Sequence, residues 1–196
     1  MSWNSPLPWT REDTYVSSGA AADAALIVDA TNKLPTQYTG REFIVEDTVH
    51  NTGASVTLKA VRNHSATALT INNRLVYYKT GAGDYGHNIG LAAAVGAQAF
   101  PIDDALVAAK NGQSIQPGDI FYIVTHGPCD IDASSAANST GLAVITIGAM
   151  VQSDASAMIG YTAATTADYI VGKMAEAAVT AGYPYNVIVG EPRKFY

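Results

Sequence analysis

Between residues 41 and 78 the apolar positions fall into short runs, "REFIVEDTV", "SVTLKAVRN", "ALTI" and "RLVYYK", separated by "NTGA", "HSAT" and "NN". β-rich runs punctuated at this spacing by turn-forming residues predict antiparallel strands. In "SVTLKAV", Val56, Leu58 and Ala60 alternate with Thr57 and Lys59, which predicts a strand with one face buried. "DIFYIV" (119–124) and "LAVITIGAMV" (142–151) are apolar at successive positions, so both are expected as central strands covered on both faces. "YNVIVG" (185–190) predicts a further strand. "DDALVAAKNG" (103–112) has Asp103 and Asp104 at its start, Lys110 near its end and Gly112 beyond, the layout of a helix of one or two turns. Two segments stay open between helix and strand: "AAADAALIVDA" (20–30), and "ADYIVGKMAEAAVTAG" (167–182), where Ile170 and Met174 suit a helix but Tyr169 and Val171 suit a strand.

Residues 1–18 carry Trp3, Trp9 and Tyr15 among polar residues, with Pro6 and Pro8 opposing a helix. They predict an extended arm with aromatics to bury elsewhere, leaving residues 19–196 as a single β-rich domain. No repeat or linker divides the rest. The expected class is mainly β: an antiparallel β-barrel or β-sandwich with one or two short helices and extended terminal arms.

Composition sharpens this picture. Charged residues are 14% of the chain and apolar ones 48%, against a usual charged share of about 25%. The surface is therefore rich in Ser, Thr, Asn, Gly and Ala, and can meet a neighbour without desolvating many charges. The net charge of -6 comes from scattered carboxylates with no Lys/Arg run, which argues against nucleic acid as a partner. No stretch has the roughly 18 consecutive apolar residues of a membrane span, and "MSWNSPLPWTRED" lacks the basic and apolar regions of a secretion signal. A soluble product of the cytoplasm, with no membrane partner, is expected. Cys129 is the single cysteine, so an internal disulfide and a Cys-based zinc cluster are excluded.

Three motifs invite a chemical reading. Gly81-Ala82-Gly83-Asp84-Tyr85-Gly86 spells GxGxxG after an apolar strand, with Asp103 placed like a ribose-binding acid. A dinucleotide fold needs a full helix next, but "HNIGLAAAVGAQAFP" carries Gly90 and Gly96 and ends at Pro101. A glycine-rich loop between strands fits better, and no cofactor is expected. His126 and Cys129 in "THGPC" resemble a base and a thiol. No third residue is placed to orient them, so a small buried cysteine and a strand-end histidine are preferred. Asp130-x-Asp132-x-Ser134 opens like a calcium loop, but Ser135 stands where glycine is needed and Gly141 where a bidentate glutamate is needed. His50, His64 and His87 fall in turn-like segments with no ligand spacing, so no metal and no catalytic residue is assigned.

The order of the middle segments carries a resemblance. "LKAVRNHSATALTINNRLVYYKTG" (58–81), "AFPIDDAL" (99–106), "IQPGDIFYIVTHGPCDI" (115–131) and "IVGKMAEAAVTAG" (170–182) together resemble the head decoration, or cement, proteins of tailed bacteriophages. The best blocks are "VRNHSATALTINNRLV", "FPIDD" and "GDIFYIVTHGP"; residues 1–35 lie outside the likeness. The resemblance implies a β-barrel or sandwich that self-associates, binds the major capsid protein on the outer face of the virion, and stabilises the shell without catalysis. Threefold sites on icosahedral shells favour a homotrimer, with a dimer as the alternative. Trp3, Trp9, Tyr15, Tyr85, Phe195 and Tyr196 are the expected interface anchors, since aromatics dominate contact energies. The competing expectation is a virion-borne module that binds carbohydrate or a host surface, with Tyr77, Tyr78 and Tyr85 as its aromatic edge.

Overall fold

The computed structural model describes residues 40–78, 88–91, 98–117, 119–134, 145–154, 158–161 and 169–194. The predicted arm, segment 20–30 and all six expected anchors lie outside these residues, as do Gly81, Gly83 and Gly86.

The first hairpin joins β1 (Glu42–Glu46) to β2 (Ser55–Asn63) in antiparallel register, with Phe43 opposite Leu58 and Val45 opposite Val56. As the alternation predicts, Val56, Leu58 and Ala60 are buried on one face of β2. β3 (Leu69–Thr70) pairs with β7 (Ser114–Ile115) in a small separate sheet. β4 (Leu75–Tyr78) is antiparallel to both β5 (Asn88–Leu91) and β6 (Ala99–Pro101). The expected helix forms as α1 (Asp104–Lys110), and Asp103 is its N-cap, accepting a hydrogen bond from the Ala105 N–H at 3.3 Å. β8 (Ile120–Asp132) is the longest strand, and its residues 120–125 are buried on both faces, as "DIFYIV" predicted. β9 (Met150–Ser153), β10 (Ile159–Tyr161), β11 (Tyr169–Met174) and β12 (Pro184–Lys194) complete the chain order.

Among the described residues these strands form one ten-stranded sheet in the order β10-β9-β11-β12-β8-β2-β5-β4-β6, with β1 also on β2. The strand pairing is antiparallel except for a short parallel contact between β2 and β5, at Arg62 with Asn88 and Asn63 with Ile89, and a single parallel bridge from Ala133 to Ile159 of β10. The mainly β, antiparallel expectation therefore holds. The sheet does not lie open: beyond β6, Ile102 bridges to Ile123, and the Asp103 N–H donates to the Tyr122 carbonyl at 3.1 Å. Strands β8-β2-β5-β4-β6 thus return to β8 as a ring.

β8 belongs to two regions. Its first half pairs with β2 and its second half, from Gly127 to Asp132, with β12. The crossover occurs at Gly127, whose φ of 105° no side-chain-bearing residue readily adopts, and where a Cβ would meet the Ser55 carbonyl oxygen at 2.7 Å. Two cores result. One lies between the ring and the part of the large sheet formed by β10-β9-β11-β12 with the second half of β8, hereafter the second sheet, with Leu58, Tyr122 and Val124 on one side and Val151, Val171 and Val187 on the other. The second, on the ring's opposite face, packs Val61, Val76, Phe100, Phe121 and Ile123 against Leu106 of α1 and Leu69 and Ile115 of the β3–β7 pair.

One expected strand is corrected. Segment 142–151 is not a continuous central strand: residues 141–144 lie outside the described set, Ile145 makes an isolated bridge to Ala178, and Gly148 turns the chain at φ 81° before β9 starts. The apolar run reflects burial on either side of a turn. The open segment 167–182 resolves as strand β11 followed by turns. Gly172 decides this, because β12 passes so close that a Cβ there would collide with the Ile188 carbonyl.

Candidate functional site

The densest polar grouping in the described residues lies where the β1–β2 turn, the start of α1 and the crossover of β8 meet. Asp47 builds the turn: its Oδ1 accepts the N–H groups of Val49 and His50, both at 3.1 Å, and its Oδ2 accepts the Thr52 hydroxyl at 2.7 Å. Asn51 (φ 52°) and Gly53 (φ 69°) complete it in left-handed backbone. The turn aims the His50 ring inward. Its Nδ1 lies 3.2 Å from Asp47 Oδ1, and its Nε2 lies 3.0 Å from Asp130 Oδ1 and 3.6 Å from Asp104 Oδ2. Asp104, almost fully buried, also accepts the Asp130 N–H through Oδ2 at 3.1 Å, tying α1 to β8.

The electrostatics follow from this crowding. Burial works against the charged form of His50, but the Asp130 hydrogen bond, the charges of Asp104 and Asp130 and the Asp47 contact outweigh it, so the imidazole pKa is raised. Burial likewise opposes ionised Asp47. The His50 N–H, the Thr52 hydroxyl and the imidazole prevail, and its pKa is lowered.

The described members of the three chemical motifs are dispersed. The GxGxxG segment lies outside the described residues, and the strands on either side of it, β4 and β5, are antiparallel neighbours with Tyr78 opposite Ile89, not the parallel pair of a dinucleotide crossover. Asp103 is a buried helix cap. His126 and Cys129 separate at the crossover: His126 is exposed, while Cys129 is in the first core with its Sγ 3.7 Å from the Ile102 carbonyl oxygen. Asp130 and Asp132 diverge as well. Asp130 meets His50, and Asp132 meets the Arg74 Nε at 3.4 Å, its pKa raised by burial against the lowering effect of that guanidinium. Residues 135–141 of the calcium-like loop lie outside the described set.

His64 is exposed in the turn after β2. Tyr77 and Tyr78 do not share a surface: Tyr77 packs on the first core and Tyr78 on the second, its ring 5.1 Å from that of Phe100. The His50 grouping escaped sequence reasoning because its members are not neighbours in the chain; His50 and Asp130 are 80 residues apart. The one local signal was Asp47 before "HNTG", which marks a turn but not what the turn presents.

The second sheet has a different exposed feature. Met150, Lys173 and Ile188 stand in register on β9, β11 and β12 and face away from the core residues Val151 and Val187. Ile188 is 48% exposed and Met150 37%, and Ile147 beside β9 is 70% exposed.

No protein-family model matches the chain, and no curated protein matches it. Among solved structures, it is similar to the head fiber gp8.5 N base in bacteriophage phi29, at 14% sequence identity and a TM-score of 0.43, over 71% of this chain and 99% of that one.

Proposed function

We propose that the protein is a non-catalytic structural component of a bacteriophage virion, which decorates the outer surface of the capsid and stabilises the shell by binding major capsid protein subunits. The observation that carries this reading is where the resembling sequence blocks go. "VRNHSATALTINNRLV" supplies the end of β2 with β3 and the start of β4, "FPIDD" the join of β6 to α1, and "GDIFYIVTHGP" the first half of β8. All three meet in the ring and its second core. The blocks that resemble decoration proteins thus fall on one contiguous scaffold, and the residues once open to a catalytic reading, His126 and Cys129, are not joined. Function then falls to surfaces.

The surface we assign to the capsid is the outer face of the second sheet, along Met150, Lys173 and Ile188. Along this row Lys173 stands between two apolar side chains, so few charges need desolvating there when a shell covers it. Binding only the assembled lattice stabilises that lattice by linkage, and repeated copies make modest contacts hold. The test is co-sedimentation of the purified protein with undecorated capsids. Recovery in the pellet is expected, and full recovery in the supernatant at micromolar protein would refute the proposal. Tyr77 and Tyr78 on opposite faces give the carbohydrate-binding alternative no support.

A further inference from the structure

Among the described residues, the polar neighbours of the His50 ring nitrogens are carboxylate oxygens. Asp47 stands at Nδ1, and Asp130 and Asp104 at Nε2. A carboxylate oxygen accepts hydrogen bonds and cannot donate one. With the Nδ1 proton given to Asp47, Nε2 faces two further acceptors, an arrangement that a second ring proton or a bound cation satisfies.

We infer that the pocket formed by His50 Nε2, Asp104 Oδ2 and Asp130 Oδ1 is a binding site for a first-row divalent transition metal ion, joining the β1–β2 turn, α1 and β8.

The spacing suits an ion. These donor atoms all lie within 4.8 Å of one another, with Nε2 at 3.0 and 3.6 Å from the two oxygens. Bonds of about 2.0–2.2 Å at tetrahedral or octahedral angles set neighbouring donors about 2.9–3.5 Å apart. The donor set chooses the class of ion. One imidazole with two carboxylates suits zinc or manganese, whereas calcium and magnesium prefer oxygen throughout. Asp47 supplies what a ligating histidine normally has behind it, a carboxylate on the other ring nitrogen that fixes the tautomer and the ring plane. Asp47 is itself held by the N–H groups of Val49 and His50 and by the Thr52 hydroxyl, so the ring is oriented before any ion arrives.

Access and charge agree. The side chains of His50 and Asp130 are 16% and 32% exposed, leaving an entry path and room for water ligands, while Asp104 closes the inner side. Three carboxylates surround one imidazole, and a divalent ion would offset most of their charge. The three ligands come from separate segments, so an ion would cross-link the crossover of β8 to two other elements and stabilise the fold by linkage. This inference is independent of the capsid reading.

The test uses the full chain after dialysis against a chelator, titrated calorimetrically with zinc, manganese and calcium, with thermal unfolding followed in parallel. We expect one zinc or manganese ion per chain and a raised Tm. Affinity should fall at least about tenfold in Asp130→Asn and in His50→Gln, and remain unchanged in His126→Gln. Circular dichroism checks that each variant is folded. Manganese broadening of the wild-type His50 ring resonances, beyond any at His64 and His126, gives a readout that needs no variant. The inference is overturned if folded wild-type protein takes up neither ion at millimolar concentration, if calcium binds in preference to both, or if His50 is not broadened.

Discussion

The two halves of β8 show how one strand can serve regions of different character. In the ring, residues 120–125 are buried on both faces, Tyr122 and Val124 in one core and Phe121 and Ile123 in the other. Beyond Gly127, Cys129 and Ile131 still face the first core, but partner strand β12 turns Ile188 towards solvent. The ring is covered on one side by α1 and the β3–β7 pair and on the other by the second sheet. Among the described residues the second sheet has one such cover. The difference separates a region whose side chains hold the fold from one whose outer side chains are exposed among the described residues.

The comparison breaks most severely in the ring. Phe121→Ala removes the largest fully buried side chain among the described residues and should cost about 3–5 kcal/mol, read as a lowered denaturation midpoint with an unchanged slope. A loss under about 1 kcal/mol would mean that the second core is loosely packed. The join between the regions comes next. Gly127→Ala forces a side chain into left-handed backbone against the Ser55 carbonyl and should cost about 2 kcal/mol or more in the same measurement. An unaltered midpoint would show that β8 crosses without needing a glycine. The smallest effect on stability belongs to the open face. Ile188→Asp should change stability by less than about 0.5 kcal/mol yet reduce co-sedimentation with capsids, and retained binding would move the docking surface elsewhere.

Much of the fold was legible in local pattern. Alternation at Val56, Leu58 and Ala60 gave the buried face of β2, unbroken apolar residues gave the doubly covered part of β8, and Asp103 with Gly112 bounded the helix. The same rule misread 142–151, where an apolar run hides the turn at Gly148. Segment 167–182 was ambiguous because its choice of strand depends on lying between β9 and β12. The glycine-rich hexad itself lies outside the described residues, and only the antiparallel pairing of its flanking strands β4 and β5 is on view.

The sequence by itself determined which stretches are extended, which faces are apolar and where the chain turns, because these follow from side-chain alternation and backbone preference over a few residues. The tertiary structure alone decided which strands adjoin and that Asp47, His50, Asp104 and Asp130 meet. Those choices depend on closing loops of tens of residues and on the path of β8 through Gly127, and short-range pattern carries no record of which distant partner a face or a carboxylate will find.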